Sequence, residues 1–257
     1  MEKIATSYST KEFYNSLDLL QKTSIEVGGA DRFVRHTFDD LKDSEFFREN
    51  EYLLLRSRDE VLTDANKLRK VGYWMWKPFI ILETMKVVDD GDIVLYTDAG
   101  VSIIDNLDPL YEIAKTAKDN RMLFEPSMIY GPHIHSMWTK RDCFILMGMD
   151  EPEYWQARML HAAFSVWMKT QKNIEFLSEW QRYMTDPRVV TDEPNTCGKP
   201  NFPDFAEHRY DQAVLSLLSL KYGRELYREP TQFSNNEKEK FANSPYNQLF
   251  NHHSGNI

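Results

Sequence analysis

Cysteine and glycine are scarce in this chain of 257 residues, with two of the former and ten of the latter. Cys143 and Cys197 form at most one bridge and belong to no C-x-x-C pair, which excludes a disulfide scaffold and a zinc module. No apolar run approaches the roughly 18 residues that a bilayer span needs. The opening MEKIATSYSTKEFY lacks the apolar stretch of a secretory signal, so a soluble, cytoplasmic protein is expected. The motifs G-x-x-x-x-G-K-[ST], G-x-G-x-x-G and G-x-S-x-G are absent, which removes the commonest phosphate-loop, dinucleotide and hydrolase readings. Basic charge is also short, because 31 Lys and Arg face 40 Asp and Glu, a net charge of −9. A field of that sign opposes non-specific binding to nucleic acid or anionic membranes, while leaving room for a local phosphate pocket.

What the chain does hold is apolar: 42% of residues are hydrophobic and 13% aromatic, enough for a sizeable core. No internal repeat or Pro/Gly/Ser-rich linker divides it. Lys3 to Tyr8 reads as a short strand, residues 45–55 and 59–70 as helices, and 78–88 as a mostly buried helix with Pro78 in its first turn. After the turn Asp89-Asp90-Gly91, the unbroken run Ile93-Val94-Leu95-Tyr96 suits a strand covered on both faces, as in a parallel sheet. Leu110, Ile113, Ala114 and Ala117 mark a helix, and Leu123-Phe124 a strand. Thr139 with Asp142 resembles a capping box for a helix over 140–148. Residues 156–168 fit helix or strand equally. Ile174 to Met184 outline a helix with Trp180 inward, and another begins near Arg209. The polar stretch from Glu229 reads either as a mobile tail or as a segment that wraps the site. Strands alternating with helices predict an α/β fold.

Three clusters could carry chemistry. Asp98 ends the buried run and precedes Ala99 and Gly100. Ligands of open α/β sheets bind beyond the carboxyl ends of strands, so Asp98 suits a ribose hydroxyl or a phosphate-bridging ion. An Asx turn closing the strand explains it equally. Tyr73-Trp74-Met75-Trp76-Lys77 sets aromatic faces beside a cation, suited to a base, a sugar or a phosphate. It also fits core indoles with a solvated lysine. His208-Arg209-Tyr210-Asp211 opens a helix, where the dipole favours an ionised Asp211 as base or hydroxyl anchor, or simply as a first-turn acid. His133/His135 and His252/His253 lack the i, i+4 spacing of a helical zinc motif. An ion beside Asp98 would be Mg²⁺ or Mn²⁺, with mostly oxygen ligands and at most one imidazole, and His252 or His253 is the candidate.

In this order, GYWMWKPFIILETM, DDGDIVLYTDAG and EHRYDQAVLSLL resemble a family of small GT-A-fold glycosyltransferases. Members are encoded in bacterial surface-polysaccharide loci and by large DNA viruses, including algal ones. IATSYS matches the position of that fold's first strand, and 139–195, with TKRDCFILMGMD, Gln156 and FLSEWQRYMTD, fits the spacing. The resemblance runs from residue 3 to about 222. It implies one GT-A-like (Rossmann-like) domain over 1–257, with a mixed, mainly parallel central sheet flanked by helices. Residues 1–100 would mainly bind nucleotide, 101–225 acceptor and sugar, and 226–257 would cover the site. The implied reaction is hexosyl or pentosyl transfer from a UDP- or GDP-sugar to a hydroxyl of a glycan or glycoprotein acceptor. The alternatives are a sugar-nucleotide transferase or hydrolase and a non-catalytic carbohydrate-binding protein.

The resemblance places Thr6, Ser7, Tyr8, Trp76, Lys77, Asp98, Ala99 and Gly100 at the donor, and Gln156, His208 and Arg209 at sugar or acceptor. Asp211 would be the catalytic carboxylate, with Glu179 and Asp150 in reserve. The family's Asp-x-Asp is here Asp98-Ala99-Gly100, so Mn²⁺ or Mg²⁺ would rest on Asp98 and a distant His252.

Overall fold

The computed structural model describes residues 1–56 and 71–253; the helix expected over 59–70 lies outside them. Six strands form the central sheet: β1 Lys3–Ser9, β2 Arg32–Thr37, β3 Ile93–Thr97, β5 Arg121–Glu125, β6 His161–Met168 and β7 Leu226–Arg228. Their order is β2-β1-β3-β6-β5-β7. Five run in one direction and β6 runs against both of its neighbours. The sheet is therefore mixed and mainly parallel.

Both faces are covered, which explains the unbroken apolar run in β3. Side chains alternate between faces along a strand. Val94 and Tyr96 join one core cluster, with the helices Trp76–Lys86, Gln171–Met184 and Tyr210–Lys221. Ile93 and Leu95 join the other, with the helices Tyr14–Glu26 and Asp108–Thr116. Trp180 is buried in the first cluster. Residues 156–168 resolve as a turn followed by β6. The helix expected over 78–88 spans Trp76–Lys86, with Pro78 still in its first turn.

The capping box at Thr139 does not form. The helix Arg141–Leu146 has Lys140 at its N-cap without a side-chain cap. Asp142 instead accepts from the main-chain N–H groups of Thr196 and Cys197 at 2.7 and 2.8 Å. Thr139 Oγ1 pairs with His135 Nδ1 at 2.8 Å. Tertiary partners outcompete the local cap.

From Glu229 to His253 the chain is packed. A 3₁₀ stretch, Gln232–Lys240, leads to β8, Phe250–His252, which pairs antiparallel with β4, Val101–Ile103. Tyr246, Leu249 and Phe250 are core residues. Among the described residues, no helix is long and apolar enough to cross a membrane.

Because Phe250 is fully buried against Phe164, its truncation tests whether this segment belongs to the core. Phe250→Ala should cost about 3–5 kcal/mol in urea unfolding. A cost near zero would show that the C-terminal segment does not contribute to the folded core.

Candidate functional site

β1 and β3 are parallel neighbours, with Thr6 opposite Tyr96, so their carboxyl ends deliver Ser9-Thr10 and Asp98-Ala99-Gly100 to one edge. A cavity of about 630 Å³ opens there. Tyr8 and Trp76 form a wall, with ring centroids 4.2 Å apart and planes inclined at 39°. Phe13, Tyr14, Phe38 and Trp74 extend the aromatic lining. Asp98, Ala99 and Gly100 supply one side, and His252 reaches in from β8. The main-chain N–H of His253 donates to the Gly100 carbonyl at 2.9 Å, tying β8 to that side.

A charged group stands behind Asp98. Tyr96 donates to Asp98 Oδ1 at 2.7 Å. Lys77 Nζ donates to Asp98 Oδ2 at 3.3 Å and to the Ala162 carbonyl at 3.0 Å. The same ammonium lies 2.8 Å from Asp211 Oδ2. Burial alone would lower the Lys77 pKa, but Asp211 and Asp98 outweigh it and hold the ammonium above its ordinary range. Burial raises Asp211 to about 6 against the pull of Lys77. The helices carrying these residues meet through strained backbone. Gly72, Tyr73 and Trp74 have φ of 72°, 50° and 55°, and Tyr210 has 41°. The Tyr210 ring centroid lies 5.4 Å from Tyr73 and 5.7 Å from Trp74. Left-handed non-glycine residues persist only where packing enforces them, and here they set Lys77 against Asp211.

The structure brings together Tyr8, Trp76, Asp98, Ala99, Gly100 and His252 on the cavity wall. Other expected residues stand elsewhere. Thr6 and Ser7 are buried in β1, and Thr6 Oγ1 donates to the Val34 carbonyl. Lys77 is buried off the cavity, with its donors engaged by two carboxylates and a carbonyl. Asp211 is buried behind it and is not an open base. His208 is buried off the cavity: Nδ1 accepts from Lys140 N, and Nε2 lies 2.9 Å from the Val189 carbonyl. Gln156 ends the turn Pro152–Trp155 in solvent, and Arg209 lies over Trp138; neither lines the cavity. The reserve carboxylates are structural, Glu179 with Lys221 and Tyr222, Asp150 with Arg141 and Lys199. His133 carries out no ligand role in the cavity, and His135 is fully buried.

Several lining residues went unread in the sequence. Thr10, Phe13 and Tyr14 follow the first strand, and their side chains carry no motif. His161 stands behind His252, with ring centroids 5.7 Å apart, and its Nε2 is 3.8 Å from Glu229 Oε2. Burial pushes Glu229 up to about 7.

Among the described residues, no group of three or more His, Cys, Asp or Glu is arranged to hold a metal ion. Two donors nevertheless fit one completed by its ligand. Asp98 shows its carboxylate to the cavity, and His252 Nδ1 is buried without a hydrogen-bond partner. Burial lowers the His252 pKa, so its imidazole is neutral at pH 7 and can coordinate. Mg²⁺ is commonly held by one or two protein groups plus phosphate oxygens and water. The ionisable lining of Lys11, Glu12, Asp39 and Asp98 is net negative, so a diphosphate entering would need a cation with it.

No protein-family profile matches the sequence, and no curated protein matches it. Solved structures do. The chain aligns with the galactosyltransferase LgtC in complex with donor and acceptor sugar analogues, at a TM-score of 0.50 and 15% identity, over 98% of this chain and 87% of that one. The fold is of the GT-A type. Mouse xyloside xylosyltransferase 1, in its apo form, aligns at a TM-score of 0.47 and 8% identity, over 98% and 97% of the two chains. In GT-A terms, the cavity lies where β1 and β3 end, and Asp98-Ala99-Gly100 stands at the tip of the central strand.

Two measurements probe the buried groups. Lys77→Met leaves two carboxylates without their counter-ion, and removing one partner of a buried pair costs about 3–5 kcal/mol. Adding Asp211→Asn should recover part of that loss in urea unfolding; no recovery would mean that Lys77 and Asp211 are not coupled. Burial holds His135 and His208 near 3, far below the ordinary value of 6.5. The unfolded chain therefore binds more protons below 6.5, and stability falls as pH drops from about 6.5 towards 3. Each histidine contributes a slope of up to about 1.4 kcal/mol per pH unit. Urea midpoints at pH 7 and pH 5 should show the loss, and His208→Gln should flatten it.

Proposed function

We propose that the chain transfers a glycosyl group from a nucleotide-sugar donor, a UDP- or GDP-sugar, to a hydroxyl of a glycan acceptor. The observation that carries this reading is the aromatic-walled cavity at the ends of β1 and β3, with Asp98 held at its side by Tyr96 and Lys77. Tyr8 and Trp76 offer stacking faces to a nucleobase. Ala99 and Gly100 let a ribose or diphosphate come close to the main chain. Asp98 and His252 would hold Mn²⁺ or Mg²⁺, which when bound supplies positive charge to the departing diphosphate.

In the reaction, the bond from the anomeric carbon to the diphosphate oxygen breaks, and its electron pair leaves with the diphosphate. The acceptor oxygen bonds to that carbon, and its proton passes to a diphosphate oxygen. Asp211 contributes as a positioning residue: it fixes Lys77, and Lys77 fixes Asp98. Holding donor and acceptor together supplies the orientation that the chemistry needs. Gly100 stands where a second carboxylate would strengthen ion binding, which favours a carbohydrate-binding protein without catalysis as the second reading.

Thermal unfolding against UDP, GDP, CDP and dTDP, with and without Mn²⁺, separates the two. A nucleotide at ~100 times its Kd stabilises the native state by about 2.7 kcal/mol. One nucleotide should shift the midpoint, and more so with Mn²⁺. Asp98→Asn should weaken that binding at least about tenfold in Mn²⁺, on the scale of lost metal-site contacts. Wild-type affinity in this variant would remove Asp98 from the site, and no shift with any nucleotide would favour the carbohydrate-binding reading.

A further inference from the structure

An arc of rings runs outside the donor cavity and meets its wall at one end. Its first ring is Phe233, 6.3 Å from His252, which lines the cavity. Tyr130 follows at 5.5 Å from Phe233, and His133 at 6.1 Å from Tyr130. His133 stacks on Trp138 at 5.4 Å and 26°. The Arg209 guanidinium covers Trp138 at 4.5 Å, two residues before Asp211. None of these rings lines the cavity.

Tyr130 opens the arc to solvent, while Phe233, His133, Trp138 and Arg209 are half-buried, and the arc is held in place. Met128, Ile129 and Tyr130 are consecutive and 47%, 64% and 38% exposed, an apolar display that folding alone does not require. Their turn is pinned from the C-terminal segment: Glu237 Oε1 accepts from Ser127 Oγ and Met128 N, both at 2.8 Å. Ser127 Oγ also contacts the Phe233 carbonyl at 2.9 Å. Gly131 and His133 have φ of 82° and 37°, so the chain bends sharply to bring His133 onto Trp138. For a non-glycine residue that conformation is strained and is kept by its surroundings.

We propose that Tyr130, His133, Trp138, Phe233 and Arg209 form the subsite for the acceptor, and that the acceptor is an oligosaccharide whose sugar rings stack on this arc. The assignment rests on the glycosyl-transfer reading for its role, while the sugar-binding surface stands on its own geometry. Sugar rings present a C–H face to an aromatic ring and hydroxyls at their edge. The arc offers both, with aromatic rings interleaved with the Tyr130 hydroxyl, the His133 ring and Arg209. The Arg209 guanidinium also pairs with Glu207 at 2.9 Å, and His133 Nδ1 lies 3.2 Å from the Tyr130 carbonyl. A neutral glycan also meets no penalty from the −9 net charge, unlike a nucleic acid. Because the arc begins at His252, a glycan lying along it has one end beside the wall of the donor cavity.

The test applies labelled protein to an array of immobilised oligosaccharides, with nucleotide-induced thermal shift measured in parallel. The wild type should bind a subset of glycans. Tyr130→Ala and Trp138→Ala should each weaken that binding about tenfold, or 1.4 kcal/mol, while the nucleotide shift is unchanged. Since Trp138 is partly buried, the exposed Tyr130 variant carries the test if the other fails to fold. Unchanged glycan binding in Tyr130→Ala would overturn the subsite, as would a wild type that shows the nucleotide shift yet binds no glycan. Binding to unglycosylated polypeptide in place of sugars would overturn the occupant. Loss of the nucleotide response with Tyr130-sensitive glycan binding retained would overturn the transfer reading and leave the sugar-binding surface standing.

Discussion

The buried ammonium of Lys77 ties the site together. It joins the first turn of the helix Trp76–Lys86, the end of β3 through Asp98, the start of the helix Tyr210–Lys221 through Asp211, and β6 through the Ala162 carbonyl. Taking a lysine out of water is costly, and only close, hydrogen-bonded partners offset that cost. Two carboxylates and a carbonyl meet the condition. The arrangement leaves Asp98 turned to the cavity with its position fixed and its charge only partly countered. A carboxylate held that way can accept ribose hydroxyls or a cation without first reorganising. The strained Tyr73-Trp74 and Tyr210 backbones fit the same account, since their rings pack together at the junction of the two helices.

The C-terminal segment links two surfaces that are far apart in sequence. β8 pairs with β4 just beyond Gly100 and brings His252 to the cavity. The 3₁₀ stretch before it holds the Ser127–Tyr130 turn through Glu237 and sends Phe233 between Tyr130 and His252. One polar segment thus lines the cavity through His252 and shapes the aromatic arc beside it. In the proposed reading, the donor and acceptor surfaces would meet at His252, as direct transfer between two bound sugars requires.

Much of the framework could be read from local pattern. Ile93 to Tyr96 reads as a doubly covered strand because no polar residue interrupts it, and its alternate side chains do enter the two core clusters. Asp98 stood out because it ends that strand before two small residues, and Trp76 because it sits among aromatics. The burial of His208 was not legible for a physical reason: a histidine beside a helix start looks the same in sequence whether it lies open or buried. Here the Lys140 N–H and the Val189 carbonyl, distant in sequence, claim both ring nitrogens. The burial of Thr6 was hidden similarly, because β1 is covered where a loop residue would have been free. The Thr139–Asp142 spacing satisfies a capping box on paper, yet the loop at Thr196-Cys197 provides Asp142 with better donors.

The sequence by itself therefore determined the α/β class, the central strand, the position of Asp98 and the lack of basic charge for a nucleic-acid surface. These follow from hydrophobic periodicity, turn chemistry and net charge, which act over a few residues or over the whole chain. The tertiary structure decided which polar groups face the cavity and which are spent on one another. It placed Lys77 between Asp98 and Asp211, buried His208, and brought His252 and Phe233 back across more than a hundred residues of chain to the end of β3 and the turn at Tyr130. Such pairings depend on burial and on partners at long sequence separation, and no local pattern of residues encodes either.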